Sequence, residues 1–127
     1  MPNKIRQGGN PLNFVSSDPA NGATGVPPSI GVITLEFDKN VVNDAVWDIN
    51  KNSVHLFEGS TPFPAAITRI PDTVDFEMRR FIFVNPLEQL KPLTNYRVVI
   101  DPTLTAKSGE TLGETVTVHF KTGRGLK

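Results

Sequence analysis

Short runs in which apolar and polar side chains alternate are the feature that most constrains this chain. In one run, Ile33, Leu35 and Phe37 alternate with polar residues, and residues 115–121 follow the same pattern. A period of two places one face of an extended strand against a core and the other face in water. The chain is therefore predicted to fold mainly as antiparallel β-strands.

Turn residues separate seven such runs at intervals of roughly ten residues, the spacing of a two-layer β-sandwich. The predicted strands are residues 12–16, 32–38, 53–58, 65–70, 79–84, 96–100 and 115–121. The predicted core comprises Ile33, Leu35, Phe37, Val54, Leu56, Phe83, Tyr96, Val98, Val118 and Phe120. The best helix candidate is one short turn at residues 43–49, with Asn43 as its cap, which would cover one pole.

Composition excludes several classes of function. The 127 residues suit one domain, and 13 basic residues balance 13 acidic ones, so no broad positive field favours nucleic acid or an anionic membrane. The absence of cysteine excludes disulfides and thiolate chemistry. Residues 1–7 contain no apolar stretch that would serve as a signal peptide, so an exported parent protein would be longer than this chain. We predict no cofactor.

Turn-forming residues near the start of the chain have defined mechanical uses. Pro19 removes a ladder donor and ends the first strand. Asn21 and Gly22 supply backbone conformations with positive φ, and Gly25 follows in the same segment. The Pro-Pro pair at 27–28 redirects the chain into the next strand. This stretch is predicted to join the first two strands of the sandwich.

A tyrosine corner is predicted at residues 90–96. Leu90 precedes Tyr96 by six residues, Tyr96 opens a strand, and Pro92 lies between them. In such a corner the phenol hydroxyl bonds to backbone a few residues upstream and fixes the crossover between the sheets. Leu90, Pro92 and Tyr96 are thus predicted to be structural residues.

Four motifs follow one another along the chain: the Asn-Gly turn with Gly25, the strand end at Phe37 leading to Val41, the corner at residues 90–96, and Phe120 followed by Thr122-Gly123. Taken in order, they resemble bacterial Ig-like domains of surface-layer proteins, adhesins and other large exported proteins. The resemblance implies a seven-stranded antiparallel immunoglobulin-like β-sandwich with Greek-key connections. Residues 12–123 would form this domain, residues 1–11 a flexible lead-in and residues 124–127 a linker stub.

The same resemblance implies a non-catalytic spacer or display module of a larger bacterial cell-surface or secreted protein. An odd number of strands places the two ends at opposite poles, which suits end-to-end chaining. The expected partners are neighbouring domains of the same chain, with cell-wall or surface polysaccharide or protein as further candidates. The isolated domain is expected to be monomeric, and no membrane insertion is expected.

Two other functions remain open. In a carbohydrate- or protein-binding sandwich, exposed Trp47, Phe57 and Phe63 would stack sugar rings, whereas in the structural interpretation Trp47 plugs a pole and Phe63 anchors a loop. A periplasmic copper-carrier-like sandwich shares the Pro-Asn-Gly opening. Such carriers use an N-terminal histidine and further His or Met ligands, and this chain offers only Met78 as an internal methionine.

Other candidate chemistry is sparse. Residues 48–52 imitate the opening of a calcium loop but lack its later glycine and glutamate, so an Asn-rich turn is expected. His55 and His119 are each expected to be solvated, and no His-Asp pair is placed to activate a serine. The acidic side chains of the loop before the fifth strand are expected to be surface charge; they are Asp72, Asp75 and Glu77.

Overall fold

A computed structural model describes residues 11–125, which form two β-sheets packed face to face. The strands are β1 Phe14–Asp18, β2 Ala23–Val26, β3 Ile33–Phe37, β4 Val54–Glu58, β5 Thr61–Pro62, β6 Ala65–Thr68, β7 Phe81–Pro86, β8 Asn95–Ile100 and β9 Val116–Thr122. Helix α1 spans Asp44–Lys51, and a 3-10 turn spans Phe76–Met78. Of the predicted lead-in, residues 1–10 lie outside the described part, as do residues 126–127 of the predicted stub.

The described chain has nine strands, not seven. One sheet has the order β1-β3-β7-β6 and the other has the order β2-β9-β8-β4-β5. The two strands that were not predicted, β2 and β5, carry no alternating pattern: β2 reads Ala-Thr-Gly-Val, and β5 is two residues that end in proline. The prediction of an all-antiparallel sandwich is also wrong in one place, because β2 pairs with β9 in parallel.

The inner faces of the two sheets form one apolar core, as the alternation predicts. Strands β3, β8 and β9 supply Ile33, Leu35, Phe37, Tyr96, Val98, Val118 and Phe120, each at most 2% exposed. Strand β7 differs from the prediction, because Ile82 and Val84 face the core and Phe83 does not. Phe83 pairs with Thr34 and Thr68 on the outer face, where it is half-buried. Because β7 is apolar on both faces, its period could not identify the inner one.

The predicted helix is present and longer than expected. Asn43 caps α1, since its Oδ1 accepts a hydrogen bond from the Ala45 N–H at 2.9 Å. Val46 is the buried apolar residue of the helix, which covers the end of the sandwich. None of the helical segments in the described range is long and apolar enough to cross a membrane.

The described chain begins and ends at opposite poles. Phe14, at the start of β1, pairs with Phe37 at the end of β3. Thr122, at the end of β9, pairs with Val26 at the end of β2, from which the chain continues to the start of β3. We call the first end, formed by residues 38–53, 69–80 and 101–112, the helix pole. The other end, formed by residues 27–32, 87–94 and 123–125, is the corner pole.

Candidate functional site: the two poles of the sandwich

Tyr96 forms the centre of the corner pole. Its side chain is 1% exposed, and its hydroxyl accepts a hydrogen bond from the Lys91 backbone N–H at 2.8 Å. The ring stacks on Phe120 at 5.7 Å and meets the edge of Phe63 at 5.5 Å. Burial raises the pKa of the Tyr96 phenol, and the Lys91 N–H opposes part of that rise. The hydroxyl therefore makes the upstream backbone contact that the spacing predicts.

The segment around Tyr96 is tied to both neighbouring connections. Leu90 is buried, and its N–H donates to the Pro28 carbonyl at 3.0 Å. Pro92 is exposed, and its carbonyl accepts from the Thr94 hydroxyl at 2.8 Å. Thr122, which belongs to the motif that follows Phe120, is buried, and its hydroxyl accepts from the Thr94 N–H at 2.9 Å. The hydroxyl of Thr122 thus links the corner to the end of β9.

Two close backbone approaches explain the glycines that the sequence singled out. Gly22 has a φ of 87°, and its N–H donates to the His119 carbonyl at 2.6 Å. A Cβ added at Gly123 would lie 3.1 Å from the Gly25 Cα, closer than side-chain carbons normally pack. These glycines let β2 lie against the end of β9.

Pro19 and Phe37, two of the predicted structural residues, are both buried. Phe37 is fully buried and meets the ring of Phe14 edge-on at 5.7 Å. Pro19 follows directly on β1, and its carbonyl accepts from the Ser17 hydroxyl at 2.8 Å. Both residues lie at strand ends in the same sheet: Phe37 is the last residue of β3, and Pro19 directly follows the edge strand β1.

The helix pole is built around one buried amide. Asn50 is fully buried, and its Nδ2 donates to the carbonyls of Val41 and Thr105, both at 2.8 Å. Its Oδ1 accepts from the Thr105 N–H at 2.9 Å. One side chain thereby joins α1 to the two long connections that cross this pole, a role that the sequence analysis missed.

Asp72 is a clamp rather than free surface charge, contrary to the prediction. Its Oδ2 accepts from Asn43 Nδ2 and Asn40 Nδ2, each at 2.9 Å. These two amides, that of Asn43 first, hold the pKa of Asp72 below its usual value. Asp75 is also engaged, because its side chain accepts from the Glu77 N–H and caps the 3-10 turn. The loop between β6 and β7 is thus fastened to the start of α1.

A groove of about 350 Å³ opens beside the Asp72 side chain and its two amide partners. Asn40, Phe76, Arg79, Lys107 and Ser108 line it. The Arg79 guanidinium lies 4.0 Å from the centre of the Phe76 ring, and its Nη1 donates to the Phe76 carbonyl at 3.0 Å. The groove therefore presents two cations and an exposed aromatic side chain together.

The family follows from the match of the whole described sandwich. Residues 9–122 match the family model described as "Bacterial Ig-like domain". The chain belongs to this family. The match runs through the Asn-Gly turn, the tyrosine corner and β9.

Solved structures resemble the Ig-like domain in fold. The S-layer protein rSbsC superposes with a TM-score of 0.60 at 15% identity, covering 92% of this chain but 14% of that one. CopC from Methylosinus trichosporium OB3b gives a TM-score of 0.60 at 9% identity, and the match covers 88% of this chain and 93% of the CopC chain. An LD transpeptidase in complex with imipenem gives a TM-score of 0.56 at 18% identity, and the match covers 87% of this chain and 39% of the transpeptidase chain. At these identities the likeness shows the fold alone.

The Ig-like domain spans a small part of the S-layer chain that it resembles, 14% of its length. Comparison with curated proteins gave no match.

The calcium-like pattern at residues 48–52 does not form a ligand set. Asp48 is exposed and pairs with Lys51 at 3.4 Å, while the Asn50 amide is committed to backbone groups. Asn52 Nδ2 donates to the Asp48 carbonyl at 2.8 Å. The segment is the end of α1 and not the Asn-rich turn that was expected. Among residues 11–125, no three side chains of the His, Asp or Glu type are grouped to hold a metal.

The two histidines of the Ig-like domain lie on different strands and in different cross-strand rows. His119 is exposed on β9, opposite Arg97. His55 on β4 is partly exposed, and its Nε2 lies 2.8 Å from Asp101 Oδ2. This His-Asp pair could not be identified from the sequence, because 46 residues separate its members. Met78, the other residue weighed as a metal ligand, lies in the 3-10 turn.

The aromatic side chains that were considered for sugar stacking do not form one row. Trp47 is half-buried on α1, with the Arg69 guanidinium 5.2 Å from its ring. Phe63 packs against Tyr96, and Phe57 lies on β4 beneath Arg97, 4.6 Å away. Each ring is covered by a different neighbour, so these three residues do not make a joint platform.

Proposed function

We propose that this Ig-like domain is a non-catalytic spacer or display module of a larger bacterial cell-surface or secreted protein. The observation that carries the proposal is the position of its ends: the described chain enters β1 at the helix pole and leaves β9 at the corner pole. Strands β1 and β9 belong to different sheets, and each pairs along its length with an antiparallel neighbour. A pull along the chain would therefore load both ladders in shear.

Family membership and fold neighbours support this role. The family is one of bacterial Ig-like domains, and the S-layer structure contains the matching fold as 14% of a much longer chain. A fold alone does not determine function. The role as one module of a longer chain is therefore extended to the present domain by analogy. Its partners would be the neighbouring domains of the same chain, and the isolated domain would be monomeric.

The polar clusters also favour a structural role over catalysis. The Asn50 amide makes hydrogen bonds with three backbone groups, and the Asp72 carboxylate accepts hydrogen bonds from two side-chain amides. Ser53, two residues from His55, is buried, with its hydroxyl between the Ile49 carbonyl at 2.8 Å and the Thr103 hydroxyl at 3.0 Å. These groups hold the backbone in place and leave no activated nucleophile.

Single-molecule pulling in two geometries tests the load-bearing role. The chain has no cysteine, so pairs introduced as Pro11→Cys with Arg124→Cys, or Pro11→Cys with Lys39→Cys, give unique attachment points. The first pair pulls from pole to pole. The second pair peels β1 from β3, beginning at the Phe14–Phe37 pair.

We expect the pole-to-pole geometry to need a clearly higher unfolding force, because its hydrogen bonds must break together rather than one at a time. Forced unfolding reports the unfolding rate under load, so both proteins must first show the same stability in urea. Equal or lower force in the pole-to-pole geometry would refute the spacer role.

A further inference from the structure

The groove at the helix pole is lined by two cations, Arg79 and Lys107, that form no close ion pair with a carboxylate of the described residues. In the described range, the ion pairs involve Lys51, His55, Arg69 and Lys91, and neither Arg79 nor Lys107 takes part in one. Both line the same cavity of about 350 Å³. Two cations that share a cavity repel each other, so an anion between them would relieve that repulsion.

Both cations are attached to ordered backbone. The Arg79 guanidinium is held by the Phe76 carbonyl and lies over one face of the Phe76 ring. The Lys107 N–H donates to the Asn40 carbonyl at 2.8 Å, which fixes the base of the lysine side chain. The Arg79 side chain is thus held in place and the backbone at Lys107 is fixed, which lowers part of the entropy cost of binding.

The acidic side chains around the groove are already hydrogen-bonded. Asp72 holds the amides of Asn40 and Asn43, and Lys107 lies near enough to contribute to its lowered pKa. Glu110 accepts from the Ser108 hydroxyl, and this bond lowers the Glu110 pKa. Asp75 caps its own turn. These contacts engage the nearby carboxylates, while Arg79 and Lys107 both line the cavity.

We propose that this groove binds an anionic saccharide, with its carboxylate or phosphate between Arg79 and Lys107 and its sugar ring against Phe76. A guanidinium matches the geometry of such oxyanions, and the ammonium adds a second charge. Phe76 is 59% exposed, which leaves ring surface for the apolar face of a sugar. The cavity volume suits one small ring. The proposal adds a ligand class to the proposed spacer module. Only the expectation that the saccharide comes from a cell surface rests on that role.

The test uses the whole chain and nuclear magnetic resonance titration at low salt, with three probes. These are glucuronic acid, glucose 6-phosphate and, as the neutral control, glucose. We expect at least one of the acidic sugars to shift the resonances of Arg79, Lys107 and Phe76, and glucose to leave them in place. Whichever of the two acidic sugars binds more tightly shows whether the groove prefers a carboxylate or a phosphate. No shift with either acidic sugar, or an equal response to glucose, overturns the proposal.

Matched variants assign the contacts. Lys107→Gln should weaken the bound acidic sugar about tenfold, the factor expected for loss of one charge-assisted hydrogen bond. Lys121→Gln, which removes an exposed lysine on β9, should leave binding unchanged. Equal weakening by both lysine variants would mean that only overall charge matters, and would refute the site. Thermal melts confirm that each variant is folded.

Phe76→Ala separates a saccharide site from a simple anion site. It should weaken the acidic sugar and leave binding of inorganic phosphate unchanged. Equal effects on both, or tighter binding of an acidic peptide than of the acidic sugar, would overturn the saccharide assignment. None of these titrations depends on the pulling experiment, so the site and the spacer role can fail separately.

Discussion

The two poles of this sandwich are closed by different physical means. At the corner pole, Tyr96 brings a buried ring and one hydroxyl, which reaches the Lys91 N–H five residues upstream. At the helix pole, Asn50 brings a buried amide that reaches Thr105, 55 residues away. The Tyr96 side chain acts at the first pole through ring packing and one hydrogen bond, whereas the Asn50 side chain acts at the second through three hydrogen bonds that join distant segments.

This difference shows which kind of closure is visible in a sequence. A tyrosine corner has a fixed local spacing, so its residues identify one another. A buried asparagine has no such spacing, because its partners are backbone groups of any residue type. The two poles should also respond differently to mutation: the corner to changes in volume, and the helix pole to changes in hydrogen bonding.

Removing the Tyr96 ring should have the largest effect. Tyr96→Ala leaves a cavity beside Phe120 and Phe63 and should cost about 3–5 kcal/mol. Tyr96→Phe keeps the packing but deletes the bond from the Lys91 N–H, for about 1–3 kcal/mol. Urea titration of the three proteins measures both costs. A Tyr96→Phe protein as stable as the parent would show that the hydroxyl contributes nothing to this pole.

Asn50→Ala should be the most damaging single change at the helix pole. It leaves the carbonyls of Val41 and Thr105 and the N–H of Thr105 without their partner, for an expected loss of about 2–4 kcal/mol in the free energy of unfolding. Asn52→Ala, at the exposed end of the same helix, is the matched control and should cost less than about 1 kcal/mol. Similar losses for the two variants would mean that the buried amide is not what holds this pole.

The fold was predictable where one face of a strand is apolar and the other polar. Strands β3, β8 and β9 have that pattern, and their buried residues agree with the prediction. Strand β7 does not, so Phe83 was placed in the core when Ile82 and Val84 occupy it. Strands β2 and β5 are too short to carry a period, and they form because β9 and β4 offer them partners.

The polar sites were less predictable than the fold, for a related reason. Asp72 meets Asn40 across 32 residues, and His55 meets Asp101 across 46. Arg79 and Lys107 share a groove only because two separate connections cross at the same pole. No local spacing encodes such meetings, so His55 and Asp72 were expected to be solvated surface groups.

Alkaline pH should sharpen the contrast by acting on the corner. The folded-state pKa of Tyr96 is raised above 10.0, mainly by burial. Its neutral form therefore adds stability in full below pH 10, and this contribution is lost as the pH rises through the folded-state pKa. Urea titrations from pH 8 to about 11 should show the advantage of the parent over Tyr96→Phe shrinking above pH 10. A constant difference would contradict a buried, titrating phenol.

Acid should act on the opposite pole, with the smallest effect. The pKa of Asp72 is held below 3.8 by the amides of Asn43 and Asn40. Its carboxylate thus adds stability at pH values above 3.8, and this contribution disappears as the pH falls through the folded-state pKa. We expect Asp72→Ala to cost about 1 kcal/mol at pH 7, because two hydrogen bonds at a half-exposed site are lost.

Asp48→Ala is the matched control, since Asp48 is 93% exposed and pairs with Lys51 on the helix surface. It should change stability by less than about 0.5 kcal/mol. Urea titrations at pH 7 and near pH 3 measure both variants. The difference between the parent and Asp72→Ala should narrow at the lower pH, whereas the difference for Asp48→Ala should be small at both. If Asp72→Ala cost no more than Asp48→Ala at pH 7, the hydrogen bonds from Asn40 and Asn43 to Asp72 would contribute nothing measurable to stability.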